Sequence, residues 1–433
     1  MKNSLLERVF RLKDSGTSLG REVLAGFVSY FTILYIVAVN SLILSEGGLP
    51  LDGAILATIL LSAVSCILVG VWSNVPIILV PGMGLNAFFS YTMVQSMGLS
   101  WQSALGVVFV SGLIFTVLSF SRLTKVLSDA IPASLKEAIT VGLGLFLILL
   151  GLEKGGIVVQ GEAAILALGD FSQPQVMASI LTIIIAFVLF SRNISGNFLI
   201  TIVAGCVIAF MFGTLDLSQL TFQQADFKAY GEVFAAFSFE QAASLPFWTA
   251  VFSLTMVLVF ENIGLVHGHV NSIKKPELFQ KAFQATGLSV LLSGVFGSSP
   301  TVATVETAAG VASGGRTGLT TVTTGILFLL SIFFIPLIKV IPDSAIAPIL
   351  IIIGILMLQH IKHLELKDIS DAIPAFLTIT LIPFTYSIPD GMAMGFIMYP
   401  ILKITLGKAK EVSIIMYIIA GLFLTNFLVH IMG

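Results

Sequence analysis

Two glutamates, Glu261 and Glu306, lie inside long apolar stretches of this chain; the other acidic residues are read as belonging to loops, span ends or a terminus. A charged carboxylate at the centre of a bilayer costs about 2.5–3.5 kcal/mol on insertion scales, so each is a functional candidate by default. No lysine or arginine is read within a span to neutralise either one. Burial opposes the charged form of Glu306, while the exposed N–H groups at the start of a half-helix favour it. A carboxylate held between those effects can exchange a proton. Around the pair the chain offers one amide, Asn86, and aromatic side chains at Phe88, Phe89, Phe31 and Tyr35. Two glutamates repel a simple anion, and the clustered oxygen or histidine ligands of a metal site are not apparent. His267 and His269 read as solvated residues at the end of their span. A flat neutral heterocycle fits better: carboxylates accept its N–H groups, an amide both donates and accepts, and a ring face covers it.

The elements that must position these residues are membrane spans. Of 433 residues, 57% are hydrophobic and 10% charged, against about 25% charged in a soluble domain. Apolar runs long enough for a hydrocarbon core of about 30 Å recur throughout. They fall at 23–45, 53–72, 76–96, 102–120, 131–152, 175–191, 196–213, 247–270, 279–297, 301–313, 317–338, 343–361, 369–385 and 388–406, with a further apolar segment at 411–431. The first run is too long for a signal-peptide core and has no small-residue cleavage site, so it is read as a retained helix. Cys66 and Cys206 sit in apolar runs and read as small buried hydrophobes.

Placing the N-terminus (residues 1–22) in the cytoplasm assigns 18 of the 21 basic residues to cytoplasmic loops. Only Lys154, Lys228 and Lys339 remain outside, as the positive-inside rule requires. The cytoplasmic set includes Lys2, Arg122, Lys125, Arg316, Lys362 and Lys408. Removing the short tenth span would move six of its members outside, so that span is expected to cross. Acidic residues dominate the outer loops: Glu162, Asp170, Asp216, Asp226, Glu232 and Glu240. The longest loop, 214–246, divides seven spans from seven, the arrangement expected of an inverted repeat.

Spans three and ten occupy matching places in the two halves, and both are broken. Span three runs Val75-Pro76-Ile77-Ile78-Leu79-Val80-Pro81-Gly82-Met83-Gly84-Leu85-Asn86, with prolines that remove backbone donors and a Gly-x-Gly pair that weakens a helix. Span ten runs Ser298-Ser299-Pro300-Thr301-Val302-Ala303-Thr304-Val305-Glu306-Thr307, whose Thr/Val alternation favours an extended stretch before a short helix. Irregular backbone survives at membrane depth only beside a cavity or inside protein, and paired interrupted spans point to a transporter's binding site. Gly314-Gly315-Arg316-Thr317-Gly318 lacks the Gly-Lys-Ser/Thr ending of a phosphate loop and reads as a tight turn, so transport is expected to be secondary.

At these residues the chain resembles the nucleobase permeases of the nucleobase–ascorbate superfamily, in the branch that moves adenine, guanine and hypoxanthine. The resemblance is carried by Pro81–Phe89, Val305–Thr320, Ile131–Lys136, Ile373–Thr378 and Tyr386–Gly391, and so covers nearly the whole chain. It implies an all-α polytopic fold of 14 spans in two inverted seven-helix repeats, with half-helices in spans three and ten. A core domain would comprise 23–120 and 247–338, and a gate domain 131–213 and 343–406, with 214–246 an extracellular connector. It assigns base binding to Asn86, Glu261 and Glu306, with Phe88, Thr307 and Thr32 completing the lining. It assigns proton coupling to Glu261 and Glu306, with no other cofactor or metal. The expected protein is a multi-pass inner-membrane homodimer that imports a purine base by proton symport through an elevator-like movement, with no nucleic-acid partner. Span eight departs from the branch: Phe260-Glu261-Asn262-Ile263-Gly264 is closer to the uracil and xanthine permeases, which stay open as alternatives. An anion transporter of the same architecture and a membrane enzyme using the glutamates as an acid–base pair are the remaining readings.

Overall fold

The computed structural model describes residues 5–121, 129–161, 164–215, 226–364 and 366–432. Lys2, Arg122, Lys125, Glu162 and Asp216 lie outside the described residues. The first half begins with α1 (Leu5–Phe10), then α2 (Leu19–Ile33), which runs through Leu34 into α3 (Tyr35–Glu46), and α4 (Leu51–Ser73). Strand β1 (Leu79–Pro81), the short α5 (Met83–Ala87) and a π-helix over Phe88–Ser96 follow. Next come α6 (Trp101–Phe120), α7 (Ala133–Lys154), the β2–β3 hairpin (Val158–Gln160 and Leu166–Leu168), α8 (Pro174–Ser191) and α9 (Asn197–Met211). After α10 (Phe227–Val233) the second half runs α11 (Leu245–Ser272), α12 (Phe279–Phe296), β4 (Thr301–Ala303), α13 (Thr307–Ala312), α14 (Gly318–Leu330) and α15 (Ile335–Ile338). It closes with α16 (Asp343–Leu358), a 3-10 turn over Gln359–His363, α17 (Ile369–Thr385), α18 (Ile388–Thr405) and α19 (Ile414–Met432). Eight of the described helices are long and apolar enough to cross a membrane, counting α2–α3, α14–α15 and α16 with its turn as single helices.

The halves repeat each other's construction. Helix α4 ends on Asn74 and α12 on Gly297, both left-handed, and each turn delivers the chain into a strand and then a half-helix. A side chain at Gly297 would strike the Val233 carbonyl as well as needing φ near +76°, so only glycine serves there. Packing follows the same symmetry: α6 lies on α12 as α4 lies on α14, and α17 lies on α7 as α8 lies on α16. The helices sort into two groups. One holds α2–α6 and α11–α15; the other holds α7–α9 and α16–α18. Within the second group α7 and α16 cross where Gly144 meets the Gly354 backbone, the small-residue contact by which helices in lipid approach closely.

Strands β1 and β4 pair antiparallel inside the first group, with Leu79 opposite Ala303, Val80 opposite Val302 and Pro81 opposite Thr301. Pro81 cannot donate, and the Thr301 N–H instead donates to Ser293 Oγ at 3.1 Å. Beyond the pair, Gly82 N donates to the Pro300 carbonyl at 3.0 Å and Thr304 N to the Ile78 carbonyl at 3.3 Å. Ile78 N donates to Thr307 Oγ1 at 3.1 Å, and Ala303 N to Asn262 Oδ1 at 3.1 Å. The broken spans thus satisfy their backbone within the protein, which low dielectric demands.

Three sequence expectations change. Lys136 lies within α7, and Lys403 within α18 is only 3% exposed, so basic side chains do occur in the apolar segments. Lys403 is tolerated because its ammonium meets Asp371 at 2.9 Å, Glu411 at 3.1 Å and Asp368 at 3.4 Å. Glu22, set aside as a terminal acid, is fully buried. Its carboxylate accepts from Arg316 N at 2.9 Å, Thr317 N at 3.2 Å and Thr320 Oγ1 at 2.6 Å, capping the start of α14. His269 is not solvent-facing, because α11 outlasts the apolar run; its Nε2 is buried without a partner among the described residues. Residues 226–244 of the connector fold onto the first group, where α10 packs on α4 and Phe237 stacks on Phe109 at 4.6 Å. The segment beyond 411 forms α19, which lies on α18 with Met416, Ile419 and Phe423 buried.

Candidate functional site

Where the two half-helices meet, a cavity of about 400 Å³ lies between the helix groups. The first group supplies Tyr35 and Ile36, the backbone turn Pro81–Gly84, Phe260 and Glu261, and Val302–Glu306. The second supplies Lys136, Glu137, Thr140, Ile353, Leu356, Met357 and His360. Glu306 sits at the N-cap of α13 and is 9% exposed; its Oε1 accepts from Tyr35 Oη at 2.6 Å. Tyr35 is itself held edge-on against Phe198 of the second group, with ring centroids 4.7 Å apart. Glu261 projects from α11, and its Oε2 is buried without a partner among the described residues. One carboxylate is therefore committed and the other is available. Asn262, the next residue, donates to the Leu258 carbonyl at 2.9 Å while its Oδ1 holds the β4 backbone, so the turn of α11 that presents Glu261 also anchors span ten.

The other predicted residues fall into two places. Asn86, Phe88 and Thr307 lie wholly buried one layer behind the cavity. Asn86 Nδ2 contacts Met83 Sδ at 3.5 Å, and its Oδ1 is unpartnered among the described residues. Thr307 is occupied by Ile78, and Phe89 is buried with Phe88. Thr32 is elsewhere: its hydroxyl donates to the Val28 carbonyl at 2.7 Å, and it faces a shallow groove with Phe27, Phe31, Ser195 and Gly196. Sequence reasoning missed the Tyr35 hydrogen bond, the Asn262 clamp, and the second group's polar wall. There His360 Nδ1 lies 2.7 Å from Glu137 Oε2, and Lys136 Nζ lies 6.0 Å from the Phe260 ring centroid. Lysine, glutamate and histidine near helix ends read as loop residues until the helices are packed.

The cavity lies nearer one end of the molecule. That end carries basic side chains: Lys275 bonded to Ser15, and Lys403 and Lys408 in an ion network with Asp368. At the opposite end the two groups are clamped. Glu46 of the first group pairs with Lys154 of the second, and Tyr91 Oη donates to Glu46 at 2.6 Å. Lys154 also meets Asp343 at 3.2 Å, and Thr92 Oγ1 donates to the Tyr386 carbonyl at 3.2 Å.

Paired half-helices around a cavity, between two symmetric helix groups, fit a membrane transporter. The chain belongs to the Permease family, whose family model matches residues 20–394. It is 45% identical over 380 residues to the nucleobase transporter PlAzg2 of Paenibacillus larvae, covering 88% of this chain and 76% of that protein. It is 36% identical to the guanine/hypoxanthine permease PbuO of Bacillus subtilis, covering 96% of this chain and 98% of that one. With the adenine permease AdeP of Escherichia coli it shares 35% identity over 97% of this chain and 95% of the other. In fold it resembles the transmembrane domain of the cyanobacterial bicarbonate transporter BicA, with a TM-score of 0.67 at 17% identity over 87% of this chain and 97% of that one.

Proposed function

We propose that this permease imports a nucleobase, a purine such as adenine or guanine/hypoxanthine, by proton symport. The observation that carries the reading is the pairing of Glu261 and Glu306 in one cavity at the half-helix junction. Acceptor-only carboxylates suit the N–H edge of a base, and the apolar wall of Ile353, Leu356 and Met357 suits its ring face. The similarity to permeases named for purine bases supports the cargo. The first helix group acts as the core (residues 23–120 and 247–338) and the second as the gate (131–213 and 343–406), with the core sliding past the gate. The basic end faces the cytoplasm of an inner membrane, and two copies pair through their gates. Glu261 followed by Asn262 keeps uracil or xanthine as the second reading of the same site. An anion is disfavoured because Glu261, Glu306 and Glu137 together outnumber the one lysine, Lys136, on the cavity wall.

Uptake of radiolabelled adenine, hypoxanthine, guanine, xanthine and uracil into proteoliposomes, with and without an inward proton gradient, tests the reading. Gradient-stimulated uptake of one or two purines, lost in Glu306→Gln, is expected. Uptake of uracil or xanthine alone selects the second reading, and uptake of no base by folded protein rejects both.

A further inference from the structure

The gate wall of the cavity ends in an imidazole–carboxylate pair whose chemistry the transport reading has not used. His360 Nδ1 lies 2.7 Å from Glu137 Oε2. An ionised carboxylate only accepts, so Nδ1 carries the hydrogen and Nε2 keeps its lone pair. An imidazole fixed in one tautomer by a carboxylate offers its other ring nitrogen as a proton acceptor. The His360 side chain is 47% exposed and so reaches solvent. On the facing wall, Glu261 Oε2 is enclosed and unpartnered among the described residues. The titratable groups around His360 are Lys362 and His363 on its own turn, with the His363 ring 6.0 Å away, Lys136 and Glu137 on α7, and Glu261 on α11. From the core, Glu306 and Tyr35 line the same cavity but are bonded to each other, so Glu261 is the core group left available.

We propose that His360, oriented by Glu137, takes the proton from Glu261 when the cavity is open at the basic end. The inference rests on the proton-coupled reading above and adds the exit of the proton to it. In the step, the Glu261 carboxylic acid becomes a carboxylate as His360 Nε2 gains the proton. The imidazolium then gives its Nε2 proton to water at its half-exposed face, which restores the Nδ1–H tautomer held by Glu137, and no electrons change hands. Donor and acceptor ride on different bodies, so the transfer is confined to the arrangement in which core and gate stand as they do here. Proton release is thereby tied to one side of the membrane. Glu137 is a positioning residue and His360 the acceptor.

The test compares wild type, His360→Gln, Glu137→Gln and Glu261→Gln in proteoliposomes by two assays. One is gradient-driven uptake of a labelled base at external pH 5–8; the other is counterflow of the same base at equal pH on both sides. His360 is half exposed, so its substitution leaves folding intact, which thermal unfolding checks. In His360→Gln the ratio of gradient-driven uptake to counterflow is expected to fall about tenfold or more, and its pH dependence to flatten. Glu137→Gln is expected to shift the pH midpoint in the same assay. A His360→Gln variant with the wild-type ratio and pH profile overturns the proposal. Wild-type counterflow without any gradient effect instead removes the proton-coupled reading, and absence of counterflow with every base removes the nucleobase reading; the proposal falls with either.

Discussion

Glu306 owes its geometry to one hydroxyl. Tyr35 donates to it at 2.6 Å from a fully enclosed position, and Phe198 of the gate fixes the ring. Hydrogen bonds to charged groups contribute about 1.5–3 kcal/mol. Tyr35→Phe is therefore expected to lower uptake efficiency (Vmax/KM) about tenfold or more without lowering the melting temperature much, since ring and packing stay. Uptake kinetics beside a thermal unfolding curve check both halves of that statement. Asp368 carries a different kind of prediction. Lys408 and then the Ser370 hydroxyl and backbone hold its carboxyl well below the usual carboxylate range. A depressed folded value stabilises the protein at pH above the unfolded value of about 3.9 and loses that effect as pH falls below it. Asp368→Asn is thus expected to lower the melting temperature by a constant amount at pH 5–8, with the gap to wild type closing below about pH 4. A gap that widens in acid contradicts the assignment.

At the scale of elements, the junction of β1 and β4 stands on side chains from neighbouring helices. Asn262→Leu leaves the Ala303 N–H without its acceptor, and a buried unsatisfied group costs about 1–3 kcal/mol. A drop of several degrees in melting temperature, together with loss of base-induced stabilisation, is the expected result. Thr307→Val should act alike through Ile78 N. The two breaks were legible in the chain because prolines and glycines announce them, and the extended-then-helical course of span ten follows from Thr301, Val302 and Ala303 before Thr307. That the breaks pair with each other was not legible. The register joins residues more than two hundred positions apart, and nothing local marks Pro81 as the partner of Thr301. The same distance hid the polar wall: Lys136, Glu137 and His360 face Glu261 only after two helix groups have been set side by side. Thr32 shows the converse error, since a polar residue near Tyr35 in sequence turns its hydroxyl back onto its own helix.

For the whole molecule, the asymmetry between its ends defines a conformation. The cavity meets the gate's polar wall toward the basic end, while the Glu46–Lys154 pair and the Thr92–Tyr386 hydrogen bond hold core and gate together at the other. Lys154 is 10% exposed and Glu46 35%, so the pair is partly screened and contributes about 0.2–1 kcal/mol. Lys154→Gln is expected to raise the share of molecules open at the acidic end about two- to fivefold. Impermeant thiol labelling of a cysteine placed at the cavity residue Met83, in a background without Cys66 and Cys206, reads that share from each side. Labelling that is unchanged, or that rises only from the basic side, contradicts the latch.

The antiparallel contact between β1 and β4 also bears on how the protein is made. When β1 enters the bilayer, its pairing partner has not yet been synthesised; roughly 220 residues separate Pro81 from Thr301. At about 5–20 residues per second the ribosome needs about 10–45 s to supply them. For that interval a proline-bearing, non-helical segment waits with polar backbone groups that lipid cannot satisfy. The nascent first half must therefore be sheltered by the insertion machinery or by its own α4 and α6. Expressing the halves as two separate chains, broken between residues 216 and 225, would prolong that wait, and yield should then depend on matching their rates of synthesis.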